Sequence, residues 1–145
     1  MMLKSFILIF LLFIVNLFPQ AERTTKGAAN GYAWLAMGDP SLPYSITKAN
    51  YLNSILDRIK LTKEKHPEIA SLSCKEDISK LSGEGKSNEL SLNDVVLEMN
   101  YFYSVEDNLV IPIIFAYCYA IKKIAGVTIE ELGDYRDEVL LFCYE

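Results

Sequence analysis

The chain has 145 residues, of which 51% are hydrophobic and 23% charged, and its formal net charge at pH 7 is −5. A chain of this length accommodates one domain of ordinary size. An acidic protein repels phosphate backbones and anionic lipid headgroups, so the charge argues against nucleic acid as a partner.

The first 21 residues, MMLKSFILIFLLFIVNLFPQA, have the layout of a secretory signal peptide. One lysine precedes an uninterrupted apolar run over residues 6–15, and Asn16, Pro19 and Ala21 follow it. The run is shorter than the roughly 20 apolar residues that a spanning helix needs. We expect export to the periplasm or beyond, with an uncleaved amino-terminal membrane anchor as the alternative. Pro19 leaves the cleavage site open.

Residues 22–44 are rich in Gly, Ala, Pro and Thr, which predicts an extended lead-in with one short helical turn around Trp34. Trp34 is the single tryptophan of the chain. We expect it to pin the lead-in against the rest of the protein, because a buried indole contributes a large apolar area. Residues 45–145 are predicted to form a helical domain.

Three segments of that domain precede its most apolar part. Apolar residues at steps of three and four, with Tyr51 widening the stripe, predict an amphipathic helix over residues 46–65. Pro67 ends it, because the residue before a proline is pushed out of the helical region. Residues 71–90 are polar and predict a linker with at most one helical turn, and residues 91–103 predict a second helix.

The segment LVIPIIFAYCYAIKK, residues 109–123, raises the question of whether it crosses a membrane. Its apolar stretch of 13 residues is too short to span a bilayer and has the length of a buried core helix. Pro112 suits the first turn of such a helix, and Gly126 suits the position just past its end. We therefore predict a central helix over residues 109–125, covered by the other helices.

Thr128 followed by Glu131 matches a capping box, which predicts a last helix over residues 129–143. Gly133 should weaken this helix by up to about 1 kcal/mol relative to alanine. No strand alternation is evident in the sequence. The expected fold is an all-α bundle of about four helices.

The chain has three cysteines, and an oxidising compartment favours pairing two of them. If the last two helices form a hairpin at Gly126, Cys118 lies about 12 Å and Cys143 about 24 Å from the turn. These two cannot then bring their Cα atoms within the roughly 7 Å that a disulfide requires. Cys74 with Cys143 is the preferred pair, and three reduced thiols are the alternative.

The sequence offers no convincing catalytic or metal-binding pattern. The sole candidate for a general base is His66, which stands before a proline at the end of a predicted helix. A zinc site needs several His or Cys ligands at close spacing, which three isolated cysteines and one histidine do not provide. We expect no enzymatic activity, no cofactor and no metal.

Tyr101 and Tyr103 flank Phe102 at the end of the second predicted helix. Tyrosines are enriched in protein interfaces, so both are candidates for a contact with a partner. The boundary of a small helical core is the favoured explanation of such tyrosines, with the ring buried and the hydroxyl in water.

Four short motifs stand in order along the chain: NGYAW at residues 30–34, KANYLNSILDR at 48–58, FYSVEDNLVIPIIFA at 102–116 and AGVTIEEL at 125–132. Together they resemble a group of small, exported, uncharacterised bacterial helical proteins. Two glycines of that pattern are replaced here by Ser54 and Arg58. The resemblance implies an exported helical fold and carries no activity that could be transferred.

The architecture also has a looser likeness, at the level of fold alone, to the periplasmic immunity proteins that block amidase effectors of type VI secretion systems. The expected function is a non-enzymatic structural or protein-interaction role with an unknown protein partner. The alternatives are an immunity-like inhibitor of a secreted toxin enzyme and an enzyme of unknown class.

Overall fold

The computed structural model describes residues 23–38, 47–82 and 91–145, and the predicted signal peptide and its cleavage site lie outside them. The described residues form one small hairpin and seven α-helices, which confirms the all-α class. The hairpin consists of β1 (Thr24–Thr25) and β2 (Ala28–Ala29). The helices are α1 (Gly31–Ala36), α2 (Lys48–Leu52), α3 (Ile55–Lys65), α4 (Lys75–Ser82), α5 (Leu92–Phe102), α6 (Ile113–Ile124) and α7 (Ile129–Tyr144). Two 3-10 helices, Pro67–Leu72 and Glu106–Val110, complete them.

The lead-in is more ordered than the sequence predicts. Its two strands pair antiparallel with Thr25 opposite Ala28, so Lys26 and Gly27 form a two-residue turn. Both turn residues have positive φ, +48° and +78°, as a type I′ turn requires. Two-residue strands are too short to show a period-two pattern, so the sequence did not reveal the hairpin. The Asn30 side chain then caps α1 by accepting a hydrogen bond from the Tyr32 amide.

The single helix predicted over residues 46–65 is two helices, α2 and α3. Asn53 and Ser54 separate them in a turn, where the Ser54 hydroxyl donates to the carbonyl oxygen of Tyr51. Serine and asparagine side chains compete in this way with helical hydrogen bonds. The end of the predicted helix is confirmed, since α3 stops at Lys65 and Pro67 opens the next element.

The predicted linker contains an eight-residue helix, α4. Tertiary contacts hold it in place: Cys74, just before α4, is joined to Cys118 of α6, and Asp77 is paired with Lys122 at 2.8 Å. A helix with so few apolar residues has little helical signal of its own. Its formation depends on packing that a local pattern does not report.

Helix α6 lies at the centre of the fold, as the length of its apolar run predicts. It packs against α3, α4, α5 and α7. Its buried residues are Ile113, Ile114, Phe115, Ala116, Tyr117, Cys118, Ala120 and Ile121. In the described part of the chain, no helix is both long enough and apolar enough to cross a bilayer.

The two ends of α6 differ in how closely they match the prediction from the sequence. Pro112 is the residue before the first helical position, so α6 begins later than predicted and a 3-10 helix occupies residues 106–110. At the other end Gly126 has φ +85°, and its amide bonds to the Lys123 carbonyl while the Val127 amide bonds to that of Lys122. This is the Schellman arrangement. The predicted capping box of α7, Thr128 with Glu131, is present.

The predicted pairing of Cys74 with Cys143 is wrong. The structure joins Cys74 to Cys118, with Cα atoms 5.1 Å apart, and leaves Cys143 as a thiol whose sulfur lies 3.8 Å from the carbonyl oxygen of Val110. The alternative of three reduced thiols is also overturned. The error has a definite cause. The polar composition of residues 71–90 predicts a linker, so no local pattern places Cys74 beside the central helix.

Candidate functional site

The residue singled out as a candidate base makes only structural contacts in the structure. His66 Nδ1 lies 3.1 Å from a carboxylate oxygen of Glu68, and the imidazole packs edge-on against Phe142. Burial raises the pKa of the Cys143 thiol to about 11, which makes it a weak nucleophile near neutral pH. Across residues 23–38, 47–82 and 91–145, no group of His, Cys, Asp and Glu side chains could hold a metal ion.

Trp34 is fully buried and ties the lead-in to the helical body. Its indole N–H donates to Asn100 Oδ1 at 3.0 Å, and Lys48 donates to the same oxygen at 2.6 Å. The Lys48 ammonium also lies 5.0 Å from the centre of the indole ring, and burial lowers its pKa. These contacts join α1, α2 and α5, so Trp34 and Lys48 of the quoted motifs serve the fold.

The two tyrosines proposed as an interface have different environments. Tyr103 is 2% exposed, and its hydroxyl donates to the Ile111 carbonyl at 2.9 Å, so its assignment to an interface is wrong. Its ring packs so closely on α1 that a Cβ added at Gly31 would lie 2.6 Å from it. Tyr101 is 60% exposed and remains available to a partner. The two tyrosines are two positions apart, which in an α-helix corresponds to a rotation of about 200°, so their rings lie on opposite sides.

Tyr51 lies on the buried face of α2, as the stripe in the sequence predicts, at 6% exposure. The guanidinium carbon of Arg58 lies 4.2 Å from the centre of its ring. Burial raises the pKa of the Tyr51 hydroxyl, while the charge of Arg58 and its hydrogen bond lower it. The contact therefore fixes the position of the Arg58 guanidinium and also covers the Tyr51 ring.

A groove of about 670 Å³ runs between α3 and α4, and we call it the α3–α4 groove. Leu56 and Ile59 of α3 and Ile78 of α4 form its apolar wall, with Cys74 at one end. The apolar side chain of Leu56 is 59% exposed to solvent. Pockets that bind ligands have volumes of about 300–1,000 Å³ and mostly apolar walls, so the groove has the dimensions of a binding site.

Lysines form the rim of the α3–α4 groove. Lys60 and Lys63 project from α3 and Lys75 from α4, with Glu64 as the one acidic group among the lining residues. In the parts of the chain that the structure describes, none of these three ammonium groups lies within ion-pair distance of a carboxylate. The groove is thus locally positive in a chain whose net charge is negative.

The sequence does not reveal this groove, because its apolar residues at steps of three and four predict one continuous helix with a single buried stripe over residues 46–65. The helix is interrupted at residues 53–54, between α2 and α3, and Leu56 of α3 is exposed. The turn-forming pair Asn53 and Ser54 is the sequence signal that indicates this interruption.

In comparisons with known proteins, no family model, curated protein or solved structure matches the chain.

Proposed function

We propose that the protein is a non-enzymatic binding protein whose α3–α4 groove holds an amphipathic, acidic segment of a partner protein. The observation that carries the proposal is the combination of an apolar wall with a rim of three lysines. Grooves between two helices commonly receive one apolar face of a partner helix.

The chemistry of the groove defines the partner segment. Apolar side chains of the partner would contact Leu56, Ile59 and Ile78, and removing these surfaces from water supplies about 25 cal/mol per Å². Carboxylates beside that face would meet Lys60 and Lys63. Complementary charge of this kind speeds association and orients the partner more than it adds affinity.

The compartment belongs to the same proposal. The signal-like amino terminus predicts export, and a disulfide between Cys74 and Cys118 supports an oxidising environment, where such bonds persist. We therefore place the binding event in the periplasm or outside the cell.

The test is site-specific photo-cross-linking in the native extracytoplasmic fraction, with mass spectrometry of the products. A photoreactive residue at Ser79, an exposed residue of α4 that lines the groove, should yield one stoichiometric partner, and the same residue at Leu141, which is 60% exposed on α7, should not. Leu56→Glu should abolish the product, because it places a carboxylate where acidic groups of the partner approach. Leu141→Glu is the matched control and should leave the product unchanged.

Equal products from both positions, or capture unaffected by Leu56→Glu, would overturn the groove as the binding surface. The partner segment that cross-links should also carry acidic residues beside an apolar face. A secreted hydrolase as the partner would make the protein an inhibitor, which is the immunity-like alternative.

A further inference from the structure

A second concave surface lies on the other side of α3, between that helix and the β1–β2 turn. It has a volume of about 220 Å³ and we call it the hairpin pocket. Ala28, Ala29 and Leu61 form its walls, and Ile114 of the central helix forms its base. It shares no lining residue with the α3–α4 groove.

Basic side chains from two parts of the fold, the hairpin turn and the α3 segment, meet at the hairpin pocket. Lys26 comes from the hairpin turn, Arg58 and Lys65 from α3, and His66 from the residue after it. Arg58 and Lys65 are seven residues apart, which places them on one face of the helix. The two acidic residues of α3, Asp57 and Glu64, do not line this pocket, and neither does any other described carboxylate.

Arg58 is held in a defined orientation. Its Nε–H donates to Ser54 Oγ at 3.1 Å, and its guanidinium lies over the Tyr51 ring. The guanidinium also hydrogen-bonds to the Tyr51 side chain, and in the ranges that the structure describes it forms no ion pair with a carboxylate. A planar guanidinium fixed in this way presents paired donors that match the two oxygens of a carboxylate or phosphate.

Lys26 is held at the edge of the same pocket. Its backbone is in the left-handed region at φ +48°, which is uncommon for a residue other than glycine, asparagine or aspartate. Its ammonium lies 4.6 Å from the centre of the Phe142 ring. An asparagine would suit this turn position better than a lysine, so the backbone preference does not explain the residue.

One carboxylate lies close to this cluster without lining the pocket. Glu68 is 3.1 Å from His66 Nδ1, and its side chain is 57% exposed. The pKa of Glu68 is lowered first by its own backbone hydrogen bond and then by His66 and Lys26. Among the residues that the structure describes, no carboxylate forms an ion pair with Arg58 or Lys65.

We propose that the hairpin pocket binds a small oxyanion, a carboxylate or a phosphate group. Arg58 donates two hydrogen bonds to it, and Lys26 and Lys65 supply the remaining positive charge. The pocket is smaller than the roughly 300–1,000 Å³ of sites for drug-sized ligands, so the ligand is a small molecule or one terminal group. The inference is independent of the α3–α4 groove and its partner.

The experiment is a titration of the isotopically labelled full chain, followed by amide chemical shifts, with sodium acetate, sodium phosphate and sodium chloride at constant ionic strength. We expect saturable shifts at residues 26–29 and 58–66 with acetate, phosphate or both, and none with chloride. Saturation by acetate alone identifies a carboxylate site, and saturation by phosphate alone identifies a phosphoryl site.

Arg58→Gln should weaken binding by about tenfold or more, because a hydrogen bond to a charged group contributes about 1.5–3 kcal/mol. Lys123→Gln removes one positive charge from α6, outside both concave surfaces, and it should leave the affinity unchanged. Lys65→Gln provides a second test that does not disturb the contact with Tyr51. Shifts no larger than those with chloride, or equal losses in the Arg58 and Lys123 variants, would overturn the site.

Discussion

At the scale of single residues, the close approach of a backbone to an aromatic ring determines which side chains a position tolerates. The first helical residue of α1, Gly31, faces the Tyr103 ring, and a Cβ there would lie 2.7 Å from the Leu109 Cα atom. Gly133 of α7 has the opposite environment, with nothing within 4 Å of an added Cβ. The same residue type is therefore required at one position and merely tolerated at the other.

This contrast gives a matched pair of substitutions. Gly31→Ala should lower the free energy of unfolding by about 1–3 kcal/mol, because the methyl group overfills a packed contact. Gly133→Ala should raise it by up to about 1 kcal/mol, because alanine favours the helix more than glycine does. Urea unfolding followed by circular dichroism measures both. A Gly31→Ala protein as stable as the wild type would contradict the packing of α1 on Tyr103.

At the scale of secondary-structure elements, one phenol helps to join three of them. The hydroxyl of Tyr135 on α7 lies 3.3 Å from the carbonyl oxygens of both Leu72, at the end of a 3-10 helix, and Phe115, on α6. Burial raises the pKa of this hydroxyl, and the charges of Glu138 and Asp77 raise it further. The helices are therefore held by a group that must stay protonated.

That requirement predicts a loss of stability in alkali. An unfolded tyrosine ionises near pH 10, before the buried one does, so stability is fully present below about pH 10 and falls as the pH rises further. Tyr135→Phe should lower the free energy of unfolding at pH 7 by about 0.5–1.5 kcal/mol and should flatten this alkaline decrease. The buried Tyr103 leaves part of the decrease in place.

The matched control is Tyr144→Phe, since Tyr144 is 73% exposed on the same helix and should change neither quantity. Urea unfolding at pH 7 and pH 11 makes the comparison, in a Cys143→Ser background that prevents a thiolate from attacking the disulfide. A Tyr135→Phe protein with an undiminished alkaline decrease would contradict the assignment.

At the scale of the whole molecule, the disulfide connects the start of α4 to the central helix α6. Cys74 precedes α4, and Cys118 lies in α6, 44 residues away along the chain. The Asp77–Lys122 ion pair joins the same two helices. With α4 held in this way, one helix, α3, separates an apolar groove from a basic pocket.

Reduction should therefore destabilise the protein by about 2–4 kcal/mol, since cross-linking a loop of this length restricts the unfolded chain. Urea unfolding with and without a reducing agent measures the difference. Peptide mapping of the alkylated, unreduced protein should find Cys74 linked to Cys118 and the label on Cys143. A peptide linking Cys74 to Cys143 would refute the connectivity.

Much of the fold could be predicted where the cause is local. The capping box of Thr128, the cap at Gly126 and the stop before Pro67 all depend on residues within one or two turns, so short patterns identify them. The hairpin and α4 could not be predicted in this way. Their strands or apolar faces are too short to carry a periodic signal.

The candidate sites were less accessible to sequence analysis than the fold. Arg58 and Lys65 share a helix, but only packing brings Lys26 to the same pocket, 32 residues before Arg58. The α3–α4 groove likewise needs two separate helices to lie side by side. No pattern within one segment reports either relation.

The helical class, the central position of α6 and the ends of several helices follow from the amino-acid sequence, because hydrophobic period, length and capping act over a few residues. The tertiary structure alone decided which cysteine pairs with Cys74, which of the two neighbouring tyrosines is buried, and which side chains face the two concave surfaces. These outcomes depend on how distant helices pack, and the packing free energy belongs to the assembled core rather than to any one segment.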